Sequence, residues 1–268
     1  MTFDLIDNVV YGECSSLMAE MPDEYIDLTV TSPPYGDLRT YQGYSFDFQA
    51  IAIQLYRITK QGGVVVWVVG DSTEAGSESG TSFRQALFFM ELGFNLHDTM
   101  IYEKNGPSCP SPDKYYQVFE FMFIFSKGSP KTINLLKDRR NLWNGSWGKR
   151  SRRDIRGNLI QGVKTISDDL GIRFNIWRYN NGKGFTTKDE YAYIHPAMFP
   201  EKLVRDHILS WSNPGDLVFD PMCGSGTTLK MAKQLGRHWL GFDISEEYCK
   251  LSRKRVAGAN IPLFMEKI

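Results

Sequence analysis

Leu217-Val218-Phe219-Asp220-Pro221-Met222-Cys223-Gly224-Ser225-Gly226-Thr227-Thr228 reads as a strand, a glycine turn and the start of a helix. LVFD (217–220) is an apolar run closed by a carboxylate and a proline, the pattern of a buried strand. The glycines that follow let the backbone turn tightly and come close to a ligand, and the helix they open offers free N–H groups to an anion. That helix runs through Leu235 and stops at Gly236. A second strand, WLGFDI (239–244), carries Asp243, 23 residues beyond Asp220. A carboxylate in that place is suited to bind ribose hydroxyls. A final helix is expected over about 245–256.

The turn narrows the choice of ligand. Position 229 is Leu, so the third glycine of G-x-G-x-x-G is absent, which disfavours a dinucleotide. No Lys follows as a phosphate-binding loop requires, which disfavours a nucleoside triphosphate. A nucleoside whose anion is a small carboxylate fits, and S-adenosylmethionine (SAM) is such a ligand.

Working outward, IDLTVT (26–31) reads as another buried strand, and it runs into Ser32-Pro33-Pro34-Tyr35. Paired prolines present two rigid carbonyls with no competing N–H groups. With a hydroxyl acceptor at Ser32 and an aromatic face at Tyr35, they are suited to hold an exocyclic amino group and stack its ring. Such an amine is a poor nucleophile because its lone pair is delocalised. Acceptors on both N–H bonds favour a pyramidal nitrogen and stabilise the charge that develops on it. The plainer alternative is a strand-ending proline turn.

Between the two motifs the pattern is α/β. Residues 46–60 carry Ile51, Leu55 and Ile58 at helical spacing, Gly62-Gly63 is expected to stop that helix, and VVVWVV (64–69) reads as a strand. A helix is expected from about Ser82 to Leu92 with Phe83, Ala86, Leu87 and Met90 on one side, ending at Gly93. FEFMFIF (119–125) is a further strand. Pro200 opens a helix whose Leu203, Val204, His207, Ile208 and Trp211 share a face. The stretch 127–190 is polar and weakly periodic, and reads as an inserted recognition lobe or a set of loops.

At 268 residues the chain suits one generous domain, or one with an insertion. Its formal charge is zero, which excludes a globally basic nucleic-acid binder. The charge is nevertheless segregated: Lys131 to Lys164 holds ten Lys or Arg against two Asp or Glu, a net of +8. Interleaved with Trp143 and Trp147, this block reads as a phosphate-contacting surface. A solvated loop without a partner is the alternative. The four cysteines (14, 109, 223 and 249) form no CxxC pair, against a cysteine zinc site or a disulfide scaffold and in keeping with a reducing cytoplasm. No apolar run reaches 18 residues and no signal pattern opens the chain, so neither a membrane span nor secretion is expected.

Taken together, S-P-P-Y after one strand and D-P-x-x-G-S-G-T-T after a later one resemble the amino-group DNA methyltransferases. The order, catalytic motif first, resembles their circularly permuted beta class. His195-Pro196-Ala197-Met198-Phe199-Pro200 resembles the family's HPAxFP segment, which helps wall the methionine end of SAM. The resemblance implies a circularly permuted Rossmann-like SAM-methyltransferase sheet with helices on both faces. Residues 1–126 would be the catalytic half, 127–191 an inserted basic target-recognition region and 192–268 the SAM-binding half. Ser32, Pro33, Pro34 and Tyr35 would hold and stack the flipped base. Gly224, Ser225, Gly226 and Thr227 would cradle the methionine portion, with Asp220 near its amino group. Asp243 would bind the ribose, and Glu13 the adenine end, where the family has Asp. Thr31 and Phe199 fall with the cofactor residues. Lys149, Arg150, Arg152, Arg153 and Arg156 would contact DNA phosphates. Tyr115 or Tyr116 sits where the family often has an aromatic against the base, or packs a strand edge.

Methylation of cytosine C5 needs a nucleophilic cysteine in a Pro-Cys turn, and none of the four cysteines follows a proline. Among amino targets the family associates S-P-P-Y more with cytosine N4 and D-P-P-Y more with adenine N6. The resemblance therefore favours N4-cytosine, with N6-adenine as the alternative. An RNA methyltransferase, or a nucleic-acid-binding protein with an inactive SAM site, stays open. The expected partner is DNA, with a separate restriction endonuclease or a homodimer as further options, in the cytoplasm of a prokaryote or as a phage product. No metal is called for.

Overall fold

The computed structural model describes residues 5–34, 46–106, 113–143, 145–147, 151–162 and 165–260. Two compact units separate: Met1–Asn134 together with Asn175–Glu266, and Leu135–Phe174.

The larger unit is built on an eight-stranded sheet. Its strands are β1 (Asn8–Tyr11), β2 (Ile26–Thr31), β3 (Thr59–Val69), β4 (Asn95–Glu103), β5 (Phe119–Ser126), β6 (Ile176–Arg178), β7 (Leu217–Asp220) and β8 (His238–Asp243). Across the sheet they lie in the order β1-β8-β7-β2-β3-β5-β4-β6. The first five in that order are mutually parallel, and β5 runs antiparallel to both β3 and β4. β2 and β7 are almost continuously buried, as parallel strands covered on both faces must be. β1 opens the chain yet lies outside β8, which is the mark of a circular permutation. From β7 the winding moves outward through β8, and from β2 it moves the other way through β3. The carboxyl ends of β7 and β2 therefore flank the switch point, where open α/β sheets bind ligands.

Helices cover both faces. α1 (Cys14–Ala19), α2 (Phe48–Ile58) and α3 (Thr81–Glu91) contribute to one core with Trp67, Phe125, Phe219 and Phe242. α5 (Thr227–Gln234) and α6 (Glu246–Ala257) enclose a second, with Val9, Cys223, Leu229, Cys249 and Val256. α4 (Glu201–Trp211) packs against α5 and buries all five residues assigned to its inner face.

Two local expectations are corrected. α2 buries Ile51, Leu55 and Ile58 as its spacing predicts, but it ends at Thr59, and Gly62-Gly63 lie inside β3. In α3 the buried positions are Ser82, Gln85, Ala86 and Phe89, while Phe83, Leu87 and Met90 are exposed. The reason is the indole of Trp67, which is fully buried and donates from Nε1 to Gln85 Oε1 at 2.8 Å. A buried N–H needs an acceptor, so the polar Gln85 faces inward beside Phe89. Phe89 itself stacks on Phe125 with centroids 4.6 Å apart.

The segment 127–191 is divided between the units. Its end strand β6 pairs in parallel with β4 and belongs to the large sheet. Leu135–Phe174 stands alone as nested antiparallel ladders: 139–140 with 170–171, 145–147 with 165–167, and 152–153 with 159–160. Four residues lie between Trp147 and Arg152 and four between Ile160 and Thr165, so the last two ladders keep one register. Among the described residues no helix is long and apolar enough to cross a membrane.

Candidate active site

Asp220, the last residue of β7, meets Thr31, the last residue of β2. Thr31 Oγ1 donates to Asp220 Oδ1 at 2.8 Å, and the Met222 N–H donates to the same oxygen at 3.1 Å. At the start of α5, Thr228 Oγ1 donates to the Val30 carbonyl at 3.0 Å, a second stitch across the switch point. Burial pushes the Asp220 carboxyl up to about 6 despite its bonds from Thr31 and Met222, and the nearby Asp243 adds to the rise.

Asp243 ends β8. Its Oδ2 accepts from the Gly224 N–H and its Oδ1 from the Ser245 N–H, both at 2.8 Å. Burial raises its carboxyl above the usual range, against the pull of those two donors. The turn between Asp220 and α5 requires its glycines. Gly224 has φ +50, and a Cβ there would stand 2.6 Å from His195 Nε2. Gly226 has φ +78, and a Cβ there would overlap the Ser252 hydroxyl. The HPAxFP segment thus lies directly on the turn, with the His195 ring edge-on to Tyr248 at 4.5 Å. Phe199, half-buried, immediately precedes the Pro200 cap of α4.

Ser225 and Thr227, expected around the methionine end, are buried, and their hydroxyls are engaged from behind. Arg255 Nη1 donates to Ser225 Oγ at 3.0 Å, to the Ser225 carbonyl at 3.2 Å and to Thr227 Oγ1 at 2.9 Å. The same guanidinium reaches Asp189 Oδ2 at 2.8 Å and Glu201 Oε1 at 2.6 Å, and Lys230 pairs with both acids. Thr187 also donates to Glu201, at 2.6 Å. Two cations and two carboxylates therefore tie α4, α5 and α6 to the 186–190 segment beneath the turn. The sequence reading missed Arg255 entirely. Its one signal was an arginine in line with buried Ser252 and Val256 on α6.

Glu13 follows β1 at the same sheet edge, but its carboxylate caps α1. It accepts from Ser15 N (2.9 Å), Ser15 Oγ (2.7 Å) and Ser16 N (2.7 Å). Burial opposes its ionisation, yet these donors hold it down at about 2. Both oxygens are thus already in use, and an adenine contact would draw on their remaining lone pairs. Ser32, Pro33 and Pro34 continue directly from β2, with Pro33 buried and its neighbours half-buried. Tyr35, Lys149 and Arg150 lie outside the described residues. Arg152, Arg153 and Arg156 are exposed on the 152–160 hairpin. Tyr115 and Tyr116 are both exposed and precede β5.

These positions suit SAM. Buried Asp220 and Asp243 at the ends of adjacent strands take uncharged donors, and a ligand bearing an ammonium, a sulfonium and ribose hydroxyls complements them. Among the described residues no cluster of His, Cys, Asp and Glu could hold a metal ion.

The DNA methylase family N6_N4_Mtase matches residues 26–254, and the chain belongs to it. It is a DNA amino-methyltransferase, and its cofactor is S-adenosylmethionine. It is 61% identical over 234 residues to the orphan methyltransferase M.BamHII of Bacillus amyloliquefaciens, covering 86% of this chain and 88% of that protein. It is 26% identical over 261 residues to the type II methyltransferase M.BglII of Bacillus subtilis, covering 94% and 69%. Among solved structures, the PvuII DNA methyltransferase (cytosine-N4-specific) shares the fold with a TM-score of 0.66 at 23% identity, covering 95% of this chain and 87% of that one.

Proposed function

We propose that the enzyme methylates the exocyclic N4 amine of a cytosine flipped out of duplex DNA. The observation that carries this is the placement of Ser32-Pro33-Pro34 at the end of β2, joined through Thr31 and Asp220 to the cofactor turn. SAM supplies an electrophilic methyl on a sulfonium. In this reading Asp220 holds the ammonium of the methionine portion, Asp243 the ribose, and the backbone of 222–226 the carboxylate. Ser32 Oγ and a Pro33 carbonyl accept the two amino hydrogens of the base and orient its nitrogen, and Tyr35 stacks the ring. Ser32 takes no proton near neutral pH, and the methylated ammonium loses its proton readily to water. Positioning for in-line attack supplies much of the remaining rate.

The serine at the first motif position favours cytosine N4 over adenine N6, and the PvuII enzyme named as cytosine-N4-specific shares the fold. Arg152, Arg153 and Arg156 contribute phosphate contacts that help offset the cost of flipping, a few kcal/mol. The division at 127–191 is proposed as catalytic half, target-recognition region and SAM-binding half, with the nested hairpins at its centre.

The site is tested by Ser32→Ala. Turnover is expected to fall at least about a hundredfold while the SAM dissociation constant stays near wild type. Equal losses in both would remove Ser32 from the role given to it.

A further inference from the structure

The tip of the 152–160 hairpin carries a side chain that no fold requirement explains. Ile155 is 103% exposed, and it is flanked by exposed Arg152, Arg153 and Arg156. The tip is closed on itself. Asp154 Oδ1 accepts from the Arg156 N–H at 2.9 Å and from the Asn158 N–H at 2.8 Å. The Gly157 N–H donates to the Asp154 carbonyl at 3.0 Å, and Arg153 Nη1 donates to the Gly157 carbonyl at 2.8 Å. Ile155 is therefore held outward by a turn whose polar groups are paired, beyond two nested ladders of one register.

An exposed apolar side chain on a hairpin that also carries three exposed arginines matches one surface of the substrate. The major groove, about 12 Å wide, admits a two-stranded β-ribbon with phosphates on both sides and carries one apolar group, the 5-methyl of thymine. The minor groove, about 6 Å wide, is too narrow for two strands about 4.8 Å apart with their side chains. We infer that the 152–160 hairpin enters the major groove of the target site, and that Ile155 reads a thymine methyl there. The inference rests on the DNA-methylating activity proposed above. It adds that the recognition sequence contains an A·T pair with its thymine at the position the tip reaches.

The test is a double substitution. The recognition sequence is first obtained by mapping methylated positions in plasmid DNA treated with the enzyme and SAM. Each thymine of that duplex is then replaced in turn by deoxyuridine, which removes only the methyl. At one position wild-type enzyme is expected to bind about three- to fivefold more weakly, the effect of one apolar carbon. Ile155→Ala is expected to bind the thymine duplex more weakly by a similar factor and to be indifferent to deoxyuridine at that position alone. SAM affinity, unaffected in the variant, confirms folding. A recognition sequence without thymine, or deoxyuridine losses that Ile155→Ala shows undiminished, would overturn the inference and leave methylation intact. A changed oligomeric state in Ile155→Ala would assign the tip to a second copy of the chain and overturn it as well. Absence of any DNA methylation by the wild type would overturn the parent activity and the inference with it.

Discussion

Thr31 and Asp220, 189 residues apart in the chain, share a buried hydrogen bond of 2.8 Å where β2, which runs into Ser32-Pro33-Pro34, meets β7, which runs into the glycine turn. It joins β2 and β7 at their carboxyl ends, beside Ser32 and the glycine turn. Thr31→Val keeps the shape and removes the donor from a buried carboxyl, so it is expected to cost about 1–3 kcal/mol. Thr31→Ser should recover most of it. The midpoint of urea unfolding measures both, and a wild-type midpoint for Thr31→Val would deny the bond its importance.

The raised Asp220 carboxyl sets a pH dependence. At about 6 it lies above its usual value of 3.8, so the folded apoprotein holds a proton that the unfolded chain has released. Stability from that proton is present below the unfolded value and is lost as pH rises through about 6. Binding the cationic end of SAM favours the ionised form and expels the proton. SAM affinity should therefore increase from about pH 5 to about pH 7 and then level off, with proton release on binding at the lower pH. Calorimetry in buffers of different ionisation enthalpy reads the proton directly. Asp220→Asn should bind SAM more weakly and without this dependence.

Arg255 anchors the cofactor turn from behind. Arg255→Leu leaves Asp189 and Glu201 with Lys230 as their one remaining cation of the cluster, and should destabilise the fold by about 3–5 kcal/mol. The milder Arg255→Lys keeps the charge but cannot span Ser225, Thr227 and both acids. It should fold and raise the SAM dissociation constant more than it lowers turnover. Denaturant unfolding and SAM titration separate these outcomes. Unchanged SAM affinity in Arg255→Lys would limit the cluster to a packing role.

Replacing Arg152, Arg153 and Arg156 together by Ala should weaken DNA binding and flatten its salt dependence. Each lost phosphate contact lowers the slope of log K against log salt by about 0.9, so a decrease of about 2 to 3 is expected. SAM affinity should not move, since the three side chains are exposed on the hairpin. An unchanged slope would place the phosphate contacts elsewhere.

The sequence disclosed the elements whose signal is local. β2, β7 and the buried stretch of β3 are apolar runs closed by turn residues, and the glycine turn shows its geometry in its composition. Less legible were elements whose partners are distant. β4 reads as mixed polar and apolar because only two of its nine residues are fully buried, and β6 is three residues that become a strand by pairing with β4. The inward face of α3 was misjudged because it is set by the acceptor that Trp67 requires, which helical spacing does not encode. Of the site, Asp220, Asp243 and Gly224 fall together at one sheet edge as their motifs imply. The role of Arg255 depends on acids 54 and 66 residues away, a relationship only the fold creates.

The methylated nucleoside itself reveals which amine the enzyme attacks. Unmethylated DNA is incubated with the enzyme and methyl-labelled SAM, digested to nucleosides and resolved by mass spectrometry. Label is expected in N4-methyldeoxycytidine. Label in N6-methyldeoxyadenosine would contradict the base assignment drawn from Ser32 while keeping the amine chemistry, and label in neither would contradict the activity itself.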